Sequence, residues 1–371
     1  MYENVCIITV PLGKAGITPL SNLIKISKSC HNEIYLITGN EAYSHFKHDK
    51  NVFVYQVNFN GSSNKWLNIL KFAYMQLKIS YNILRIFRNV NLCYFFIGGD
   101  ILLLPMVISK LFRKKSIIVF SGLAAKSVVN SNTIAMFLTI ITNINCSLAD
   151  RLVFYSPNVI REWNMEKYIR KSSIAHEHIV SMDKFRIIKE YRDREQSVGY
   201  IGRFSEEKGI INFISALPLV HKIRPDIQFF IIGEGSLKEK IVKTISKYSF
   251  KDKIKIIKWM PHDELPGYLN TLKLIVVPSF TEGLPNIVLE SMACGTPVLA
   301  NNVGSIPDII KTMENGFIME DNSPETIASS IIKVMDYEDI KTIYENARRY
   351  IEGEYSFEHT VKKHAKILEG I

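Results

Sequence analysis

Residues 281–298 read TEGLPNIVLESMACGTPV, and two carboxylates in this stretch, Glu282 and Glu290, stand on either side of a Gly-Leu-Pro turn. Pro285 suits the first position of a helix, and a helix N-terminus attracts anions. A carboxylate accepts two hydroxyl hydrogen bonds, the pattern that a vicinal diol offers. A helix start of this kind can hold sugar hydroxyls at its two ends and a diphosphate between them, although two glutamates alone would more often be solvated surface acids.

Short apolar runs alternate with amphipathic segments on both sides of this stretch. Apolar runs without alternation are typical of strands buried on both faces, and strand–helix repeats predict doubly wound parallel sheets. In the second half the predicted strands are Val198–Ile201, Ile227–Ile232, Ile254–Ile257, Leu274–Val277 and Val298–Ala300. In the first half they are Val5–Val10, Ile34–Ile37, Phe53–Val57, Leu92–Ile97, Ser116–Phe120 and Leu152–Tyr155.

A chain of 371 residues exceeds one ordinary core, so two domains are expected. The polar stretch Lys189–Gln196 is the predicted boundary, which gives domains at 1–190 and 197–355. Two such domains facing each other would form a cleft, and ligands of parallel sheets bind beyond the carboxyl ends of the strands.

Composition narrows the class of protein. Hydrophobic residues make up 47% of the chain and charged residues 22%, which fits a globular protein and excludes a disordered one. Five scattered cysteines without a C-x-x-C pair argue against a disulfide framework and fit a reducing compartment. No signal peptide or bilayer-length apolar run is visible, so we expect a cytoplasmic protein, peripheral on the inner face of the membrane at most.

Positive charge is concentrated in the first half. Residues 1–195 carry 25 Lys and Arg against 13 Asp and Glu, a net of +12, whereas the remainder carries a net of −2. This asymmetry predicts an anionic partner for the first half. A predicted helix at Asn64–Arg88 mixes basic and aromatic residues, which suits either an anionic bilayer surface or ordinary packing on the sheet.

Two further loops follow predicted strands in the second half. In Gly202–Gly209, the side chains of Arg203 and Lys208 can converge on one anion, as a bidentate fork and a compact charge. The second, Gly233-Glu234-Gly235, is a weaker signal, because a lone G-x-G often marks only a tight turn.

Residues 197–335 resemble retaining glycosyltransferases of the GT-B fold, family 4, whose E-x7-E signature matches Glu282 and Glu290. The resemblance implies a nucleoside diphosphate sugar as donor, with Arg203, Lys208 and Glu282 as the catalytic residues and Glu290 holding the ribose. It also implies that the C-terminal segment 357–371 forms a helix that crosses back to the first domain. The implied donor-binding residues are Gly13, Gly16, Gly202, Arg203, Lys208, Gly233, Trp259, Met260, Glu282, Gly283, Leu284, Pro285, Asn286 and Glu290.

The first half matches the family more loosely. A loop with Gly13 and Gly16 follows the first strand. It could approach the phosphates of the donor or the acceptor, or it could be an ordinary strand–helix turn, and the sequence does not distinguish the two. Many relatives carry a His after the strand at Ser116–Phe120, and Ser121 stands there instead. Candidates on the acceptor side are Gly99, Ser121, His176 and His178. His176 and His178 have the spacing of a metal H-x-H pair, but no third ligand cluster accompanies them.

The leading hypothesis is a retaining hexosyltransferase that moves a sugar from a nucleoside diphosphate sugar to a glycan or lipid-linked acceptor in the biosynthesis of a cell-surface polysaccharide or glycoconjugate. No D-x-D triplet occurs, so a metal at the diphosphate is not expected, and no cofactor is implied. Two alternatives stay open: a GT-B nucleotide-sugar epimerase and, less favoured, a basic nucleic-acid-binding protein, for which no recognisable module exists.

Overall fold

The computed structural model describes residues 4–123, 132–258 and 260–370. The chain divides into two compact units, Met1–His178 with Thr360–Ile371, and Ile179–His359. Each unit is built on one sheet whose strands all run parallel. The predicted class, two doubly wound α/β domains with parallel sheets, is confirmed.

The sheet of the first unit has seven strands in the order β3-β2-β1-β4-β5-β6-β7. Their bounds are β1 Asn4–Ile8, β2 Glu33–Thr38, β3 Val52–Gln56, β4 Leu92–Phe96, β5 Lys115–Val119, β6 Arg151–Phe154 and β7 Ser172–Ile174. Six of these strands follow the predicted apolar runs. The sequence prediction missed β7, because this three-residue edge strand is polar and only partly buried.

Helices cover both faces of the first sheet. One face is packed by α1 (Ile17–Cys30) and α2 (Asn40–Phe46), which contribute Leu23 and Phe46 to its core. The other face is packed by four helices that contribute Ile79, Met106, Cys146 and Val159 to a second core. These helices are α3 Lys65–Ile86, α4 Leu103–Leu111, α5 Asn132–Leu148 and α6 Pro157–Glu162.

The sheet of the second unit has six strands in the order β10-β9-β8-β11-β12-β13. Their bounds are β8 Ser197–Ile201, β9 Gln228–Ile232, β10 Ile254–Ile257, β11 Leu274–Val277, β12 Val298–Asn301 and β13 Phe317–Met319. Its helices are α7 Ile210–Ile223, α8 Lys238–Ile245, α9 Leu265–Leu269, α10 Asn286–Ala293, α11 Ile306–Ile309, α12 Pro324–Met335 and α13 Ile340–Glu354, and the chain ends in α14 Phe357–Glu369. Five strands match the prediction, whereas the short edge strand β13 was missed.

The division between the units falls after His178, earlier than the predicted boundary at Lys189–Gln196. That polar stretch lies within the second unit, because Arg194 is only 4% exposed. Its guanidinium donates to the carbonyl oxygens of Leu272 and Cys294 at 3.1 and 2.9 Å, and to Thr296 Oγ1 at 2.8 Å. A stretch with the composition of a linker is therefore fixed to the second unit by one buried cation.

The last helix, α14, contributes to the first unit although it follows the second in sequence. Ile367 packs into the core beneath α1, and His364 Nε2 lies 3.1 Å from the carbonyl oxygen of His176. All five cysteines are buried free thiols. None of the helices in the described part of the chain has the length and apolar character needed to cross a bilayer.

Candidate functional site

The main polar cluster of the second unit lies at the carboxyl ends of β8 and β11. Lys208 Nζ is 2.7 and 2.8 Å from the two carboxylate oxygens of Glu282, and Ser279 Oγ donates to Glu282 Oε1 at 2.7 Å. The Glu282 side chain is 8% exposed and that of Lys208 is 24% exposed. The structure therefore brings together two residues that the sequence placed on separate loops, and it holds them in a partly desolvated ion pair.

Two glycines allow the loops of this cluster to pack closely. Gly209 has a φ of +65°, and a Cβ at this position would lie 1.9 Å from the carbonyl oxygen of Pro278. Gly304 has a φ of +59°, and a Cβ there would lie 2.1 Å from the carbonyl oxygen of Glu282. The amide of Ser305 also donates to the carbonyl oxygen of Gly283 at 2.9 Å. A side chain at either glycine would therefore separate the loops that position Lys208 and Glu282.

Arg203 stands apart from this ion pair. Its side chain is 68% exposed, and its Nη1 lies 3.7 Å from Glu207 Oε1. Burial opposes ionisation of Glu207, but the hydroxyl of Ser205 at 2.8 Å, a backbone hydrogen bond and the charges of Arg203 and Lys208 together lower the pKa of that carboxyl. The predicted convergence of Arg203 and Lys208 on one anion is not formed in this structure, where each cation lies beside a glutamate.

Helix α10 begins one residue later than the sequence indicates. Pro285 is the N-cap, with extended backbone angles, and Asn286 is the first helical residue. Leu284, before the cap, is buried, as are Leu289 and Met292 inside the helix. Apolar packing therefore fixes α10, and its first turn of backbone N–H groups points to the end of the sheet that carries Glu282.

Glu290 is buried on α10 and has a partner that sequence reasoning missed. Its Oε1 lies 2.7 Å from His262 Nε2, and His262 Nδ1 lies 3.0 Å from Lys184 Nζ. Because an ammonium can only donate, Nδ1 accepts from Lys184 and the neutral imidazole carries its proton on Nε2, which donates to Glu290. Lys184 also binds Asp263 at 2.6 Å. The only sequence signal was the polar Pro-His-Asp loop at 261–263.

The glycines after β8 and β9 lie against each other. Gly233 has a φ of +150°, and a Cβ there would lie 1.9 Å from the carbonyl oxygen of Gly202. The amide of Phe204 donates to the carbonyl oxygen of Glu234 at 2.8 Å. The need for glycine at 233 is therefore explained by loop packing. Met260 is half-buried, and Trp259 lies outside the described residues.

The first unit has a polar cavity of about 830 Å³ at the ends of β1, β2 and β3. It is lined by Lys14, Ile17, Asn40, Glu41, Ser44, His45, Gln56, Asn58 and Asn60. The amide of Asn40 donates to Asn58 Oδ1 at 3.3 Å, and Gln56 Nε2 donates to the same oxygen at 3.0 Å. Amide side chains both donate and accept, so this surface suits a ligand rich in hydroxyls.

The glycines and serine singled out in the first half lie in different surroundings. A Cβ at Gly13 would meet no heavy atom within 4 Å, whereas one at Gly16 would lie 3.0 Å from Leu12 Cδ1. A Cβ at Gly99 would lie 2.7 Å from Phe95 Cβ, so packing explains that glycine. Ser121 is partly exposed just after β5.

His176 and His178 belong to a buried cluster around a carboxyl group. Tyr155 Oη donates to Glu177 Oε1 at 2.6 Å, and the Tyr155 and His178 rings meet edge to face with centroids 5.1 Å apart. Burial raises the pKa of Glu177 to about 7 and lowers the pKa of His176 well below its ordinary value. Within the described residues, no group of three or more His, Cys, Asp or Glu side chains is arranged to hold a metal ion.

Known structures share this fold over the whole chain. The crystal structure of HepE from Anabaena in complex with UDP superposes with a TM-score of 0.77 at 16% identity, covering 99% of this chain and 100% of that one. The predicted GT-B class is thereby confirmed as a fold.

Sequence matches concern the second unit. Residues 181–355 match the family model described as glycosyl transferases group 1. An uncharacterized glycosyltransferase of Methanocaldococcus jannaschii is 29% identical over 48% of this chain and 50% of that protein. The amylovoran biosynthesis glycosyltransferase AmsK of Erwinia amylovora is 26% identical over 46% of this chain and 43% of that protein.

The chain spans about half the length of the curated relatives it matches. The matched segment contains Arg203, Lys208, Glu282 and Glu290. These matches do not favour the epimerase or the nucleic-acid-binding alternative.

Proposed function

We propose that the protein is a glycosyltransferase that takes a sugar from a nucleoside diphosphate sugar and passes it to a glycan or lipid-linked acceptor. The observation that carries this proposal is the Lys208–Glu282 pair beside the start of α10, within the segment that matches group 1 glycosyltransferases. HepE, which shares the fold, was solved with UDP. AmsK, which shares the sequence match, is named for polysaccharide biosynthesis.

The diphosphate of the donor would bind between Lys208, Arg203 and the first turn of α10. Two of the three N–H donors of Lys208 are directed to Glu282, and the third remains for a phosphate oxygen. Arg203 is exposed, so its guanidinium can swing from Glu207 to the phosphates. The helix start adds backbone N–H groups and its dipole. These positive groups would stabilise the negative charge on the leaving diphosphate, so the proposed reaction proceeds without a divalent metal.

The two glutamates would hold the two ends of the donor. Glu282 is fixed by Lys208 and Ser279, and it would accept hydrogen bonds from hydroxyls of the transferred sugar. Glu290 is fixed through Oε1 by His262, which leaves its other lone pairs for the ribose diol. A carboxylate already oriented by a partner loses little entropy when the ligand binds.

We propose that the anomeric configuration is retained. The bond between the anomeric carbon and the diphosphate oxygen breaks, and the acceptor oxygen bonds to the same face of that carbon. The acceptor proton passes to an oxygen of the leaving diphosphate. Lys208 and the helix N-terminus stabilise the charge that develops there. No protein nucleophile is needed in this scheme, which is the one that the family resemblance implies.

The acceptor would bind to the first unit. Its polar cavity near Asn40 and Asn58 offers amide donors and acceptors for sugar hydroxyls. Gly99, Ser121, His176 and His178 remain candidates for the same side of the reaction.

Turnover of a nucleotide-sugar panel by purified protein tests the proposal. We expect release of one nucleoside diphosphate in the presence of a glycan or lipid-linked acceptor, and a product whose anomeric configuration by NMR equals that of the donor. Lys208→Ala should lower kcat/KM by about 10²–10³, because it removes a cation from the leaving group. The matched control is Lys240→Ala, an exposed lysine on α8.

Equal turnover by the Lys208→Ala and Lys240→Ala variants would contradict the site. Inversion of configuration would contradict the scheme for retention, and formation of a free epimer without an acceptor would favour an epimerase.

A further inference from the structure

The helices on one face of the first sheet expose an unusual amount of apolar surface. Of the 25 large apolar side chains that are exposed in the described part of the chain, 15 lie on or directly after α3, α4 and α5. They are Trp66, Leu67, Ile69, Leu70, Tyr74, Leu77, Tyr81, Leu84, Leu111, Phe112, Ile134, Met136, Phe137, Ile140 and Ile144. We call this surface the three-helix face. Exposed apolar patches of this size mark interaction sites.

The apolar side chains of α3 form a continuous stripe opposite its buried side. Leu70, Tyr74, Leu77 and Tyr81 follow one another at intervals of four or three residues and are 57–67% exposed. Such spacing places them in one line along a helix. The residues that α3 buries against the sheet lie on the other side of the helix; they are Met75, Ile79, Ile83 and Ile86. The exposed stripe therefore does not contribute to the core of the first unit.

Helix α5 repeats this arrangement. Met136, Phe137, Ile140 and Ile144 are 41–62% exposed and share one side of the helix. Its buried side combines apolar and polar contacts: Cys146 packs into the core, and Thr142 Oγ1 donates to Asp100 Oδ2 at 3.1 Å. Helix α4 lies between α3 and α5 and contacts both, so the two stripes belong to one surface.

The charges on the three-helix face have one sign. No Asp or Glu occurs in residues 65–86, and no charged residue occurs in residues 132–148. Lys71, Lys78 and Arg85 recur every seven residues, which makes a basic row along the edge of the α3 stripe. Lys78 Nζ lies 4.8 Å from the centre of the Tyr74 ring. A second basic group, at residues 113–115, follows the exposed Leu111 and Phe112.

The chemistry of the three-helix face indicates which kind of partner binds it. A second copy of the chain would set like charges against one another, whereas an anionic lipid surface would attract the basic row and receive the apolar stripe. Trp66, Tyr74 and Tyr81 are amphipathic aromatic residues, the type that settles at headgroup level. No described helix is suited to crossing the bilayer, so the face would lie on its surface.

We propose that the three-helix face docks the first unit on an anionic lipid bilayer. Apolar burial at the acyl boundary and attraction between the basic row and the headgroups both contribute. This proposal is independent of the donor site, which lies in the second unit. Asn60, which lines the polar cavity, accepts from Lys71 of the basic row at 3.0 Å, so docking would bring that cavity close to lipid headgroups.

Flotation of the full chain with vesicles tests the proposal. We expect recovery with phosphatidylcholine vesicles that contain phosphatidylglycerol, little recovery with phosphatidylcholine alone, and a decrease as salt rises. The double variant Lys78→Gln with Arg85→Gln should weaken binding by roughly 25-fold, about fivefold for each exposed cation of the basic row. The double variant Leu70→Gln with Leu77→Gln should weaken it about tenfold or more at low salt.

Two matched controls change the same residue types elsewhere. Lys240→Gln with Lys243→Gln on α8, and Leu219→Gln with Ile223→Gln on α7, alter exposed side chains of the second unit. Binding of vesicles should be unchanged in both. All variants should retain nucleotide binding, which shows that they fold.

Equal recovery of the wild-type protein with neutral and anionic vesicles would overturn the proposal, as would equal losses in test and control variants. A Leu70→Gln, Leu77→Gln variant that dissociates a dimer without losing vesicle binding would assign the face to a second copy instead. If the wild-type protein floats with anionic vesicles but binds no nucleotide, the proposed donor site is wrong and the docking proposal stands.

Discussion

At the scale of single residues, the site consists of carboxylates held by basic partners. The sequence could identify Lys208 and Glu282, because each stands in a motif beside a predicted strand end. It could not predict their direct ion pair, which joins residues 74 positions apart. His262 was missed because it lies in a polar loop without a motif, 28 positions from Glu290.

Glu177 is a second carboxyl group whose state follows from burial. Its pKa in the folded protein is about 7, whereas the ordinary value of 4.5 applies to the unfolded chain. Between these values the unfolded chain releases a proton that the folded protein keeps, so the free energy of unfolding falls as pH rises through this window. Above the pKa of the folded protein, this loss in the free energy of unfolding, the penalty for burying the Glu177 carboxylate, no longer changes with pH.

Replacement of Glu177 by Gln removes this penalty and keeps an acceptor for Tyr155. We expect the stability of Glu177→Gln relative to wild type to rise between pH 4.5 and 7 by on the order of 3 kcal/mol, and then to level off. Urea unfolding across this range measures it. Burial lowers the pKa of His364 to about 4, so this group titrates below the window of the measurement. The exposed control Glu166→Gln should differ from wild type by an amount that does not change with pH. The same pH-independent difference for Glu177→Gln would contradict the raised pKa of Glu177.

At the scale of elements, the buried strands were predictable because each is a short apolar run covered on both faces. Two of the four edge strands, β7 and β13, were missed because three residues carry too little pattern. Helix α10 begins one residue after the predicted start, since Pro285 takes the extended conformation of a cap. The stretch at Lys189–Gln196 was interpreted as a linker because composition does not show which of its charges is buried.

Arg194 gives a test at this scale. Arg194→Met keeps much of the side-chain volume but leaves the carbonyl oxygens of Leu272 and Cys294 and the hydroxyl of Thr296 without their donor. We expect a loss of about 3 kcal/mol or more in the free energy of unfolding, measured by chemical denaturation, because each buried acceptor left unpaired costs about 1–3 kcal/mol. Arg192→Met, at a side chain that is 87% exposed, is the matched control and should change stability by less than about 0.5 kcal/mol. Equal effects of the two substitutions would show that Arg194 does not fix this stretch.

At the scale of the whole molecule, the two units have different functional features. The second unit holds the segment that matches group 1 glycosyltransferases and the candidate donor site. The first unit has the excess of positive charge, the polar cavity and the three-helix face. The sequence showed the charge asymmetry, but the exposed stripe on α5 became visible only when the packing of that helix on Asp100 was known.

The central claim is that the second unit binds a nucleoside diphosphate through Lys208 and Glu290. Thermal unfolding of the full chain against a panel of nucleoside diphosphates and their sugars tests it most directly, because a ligand at 100 times its Kd stabilises the native state by about 2.7 kcal/mol. We predict that one nucleotide class raises the Tm by a few degrees, and that the rise disappears in Glu290→Ala but persists in the Lys240→Ala control. No shift with any nucleotide, or an equal shift in Glu290→Ala, would contradict the claim.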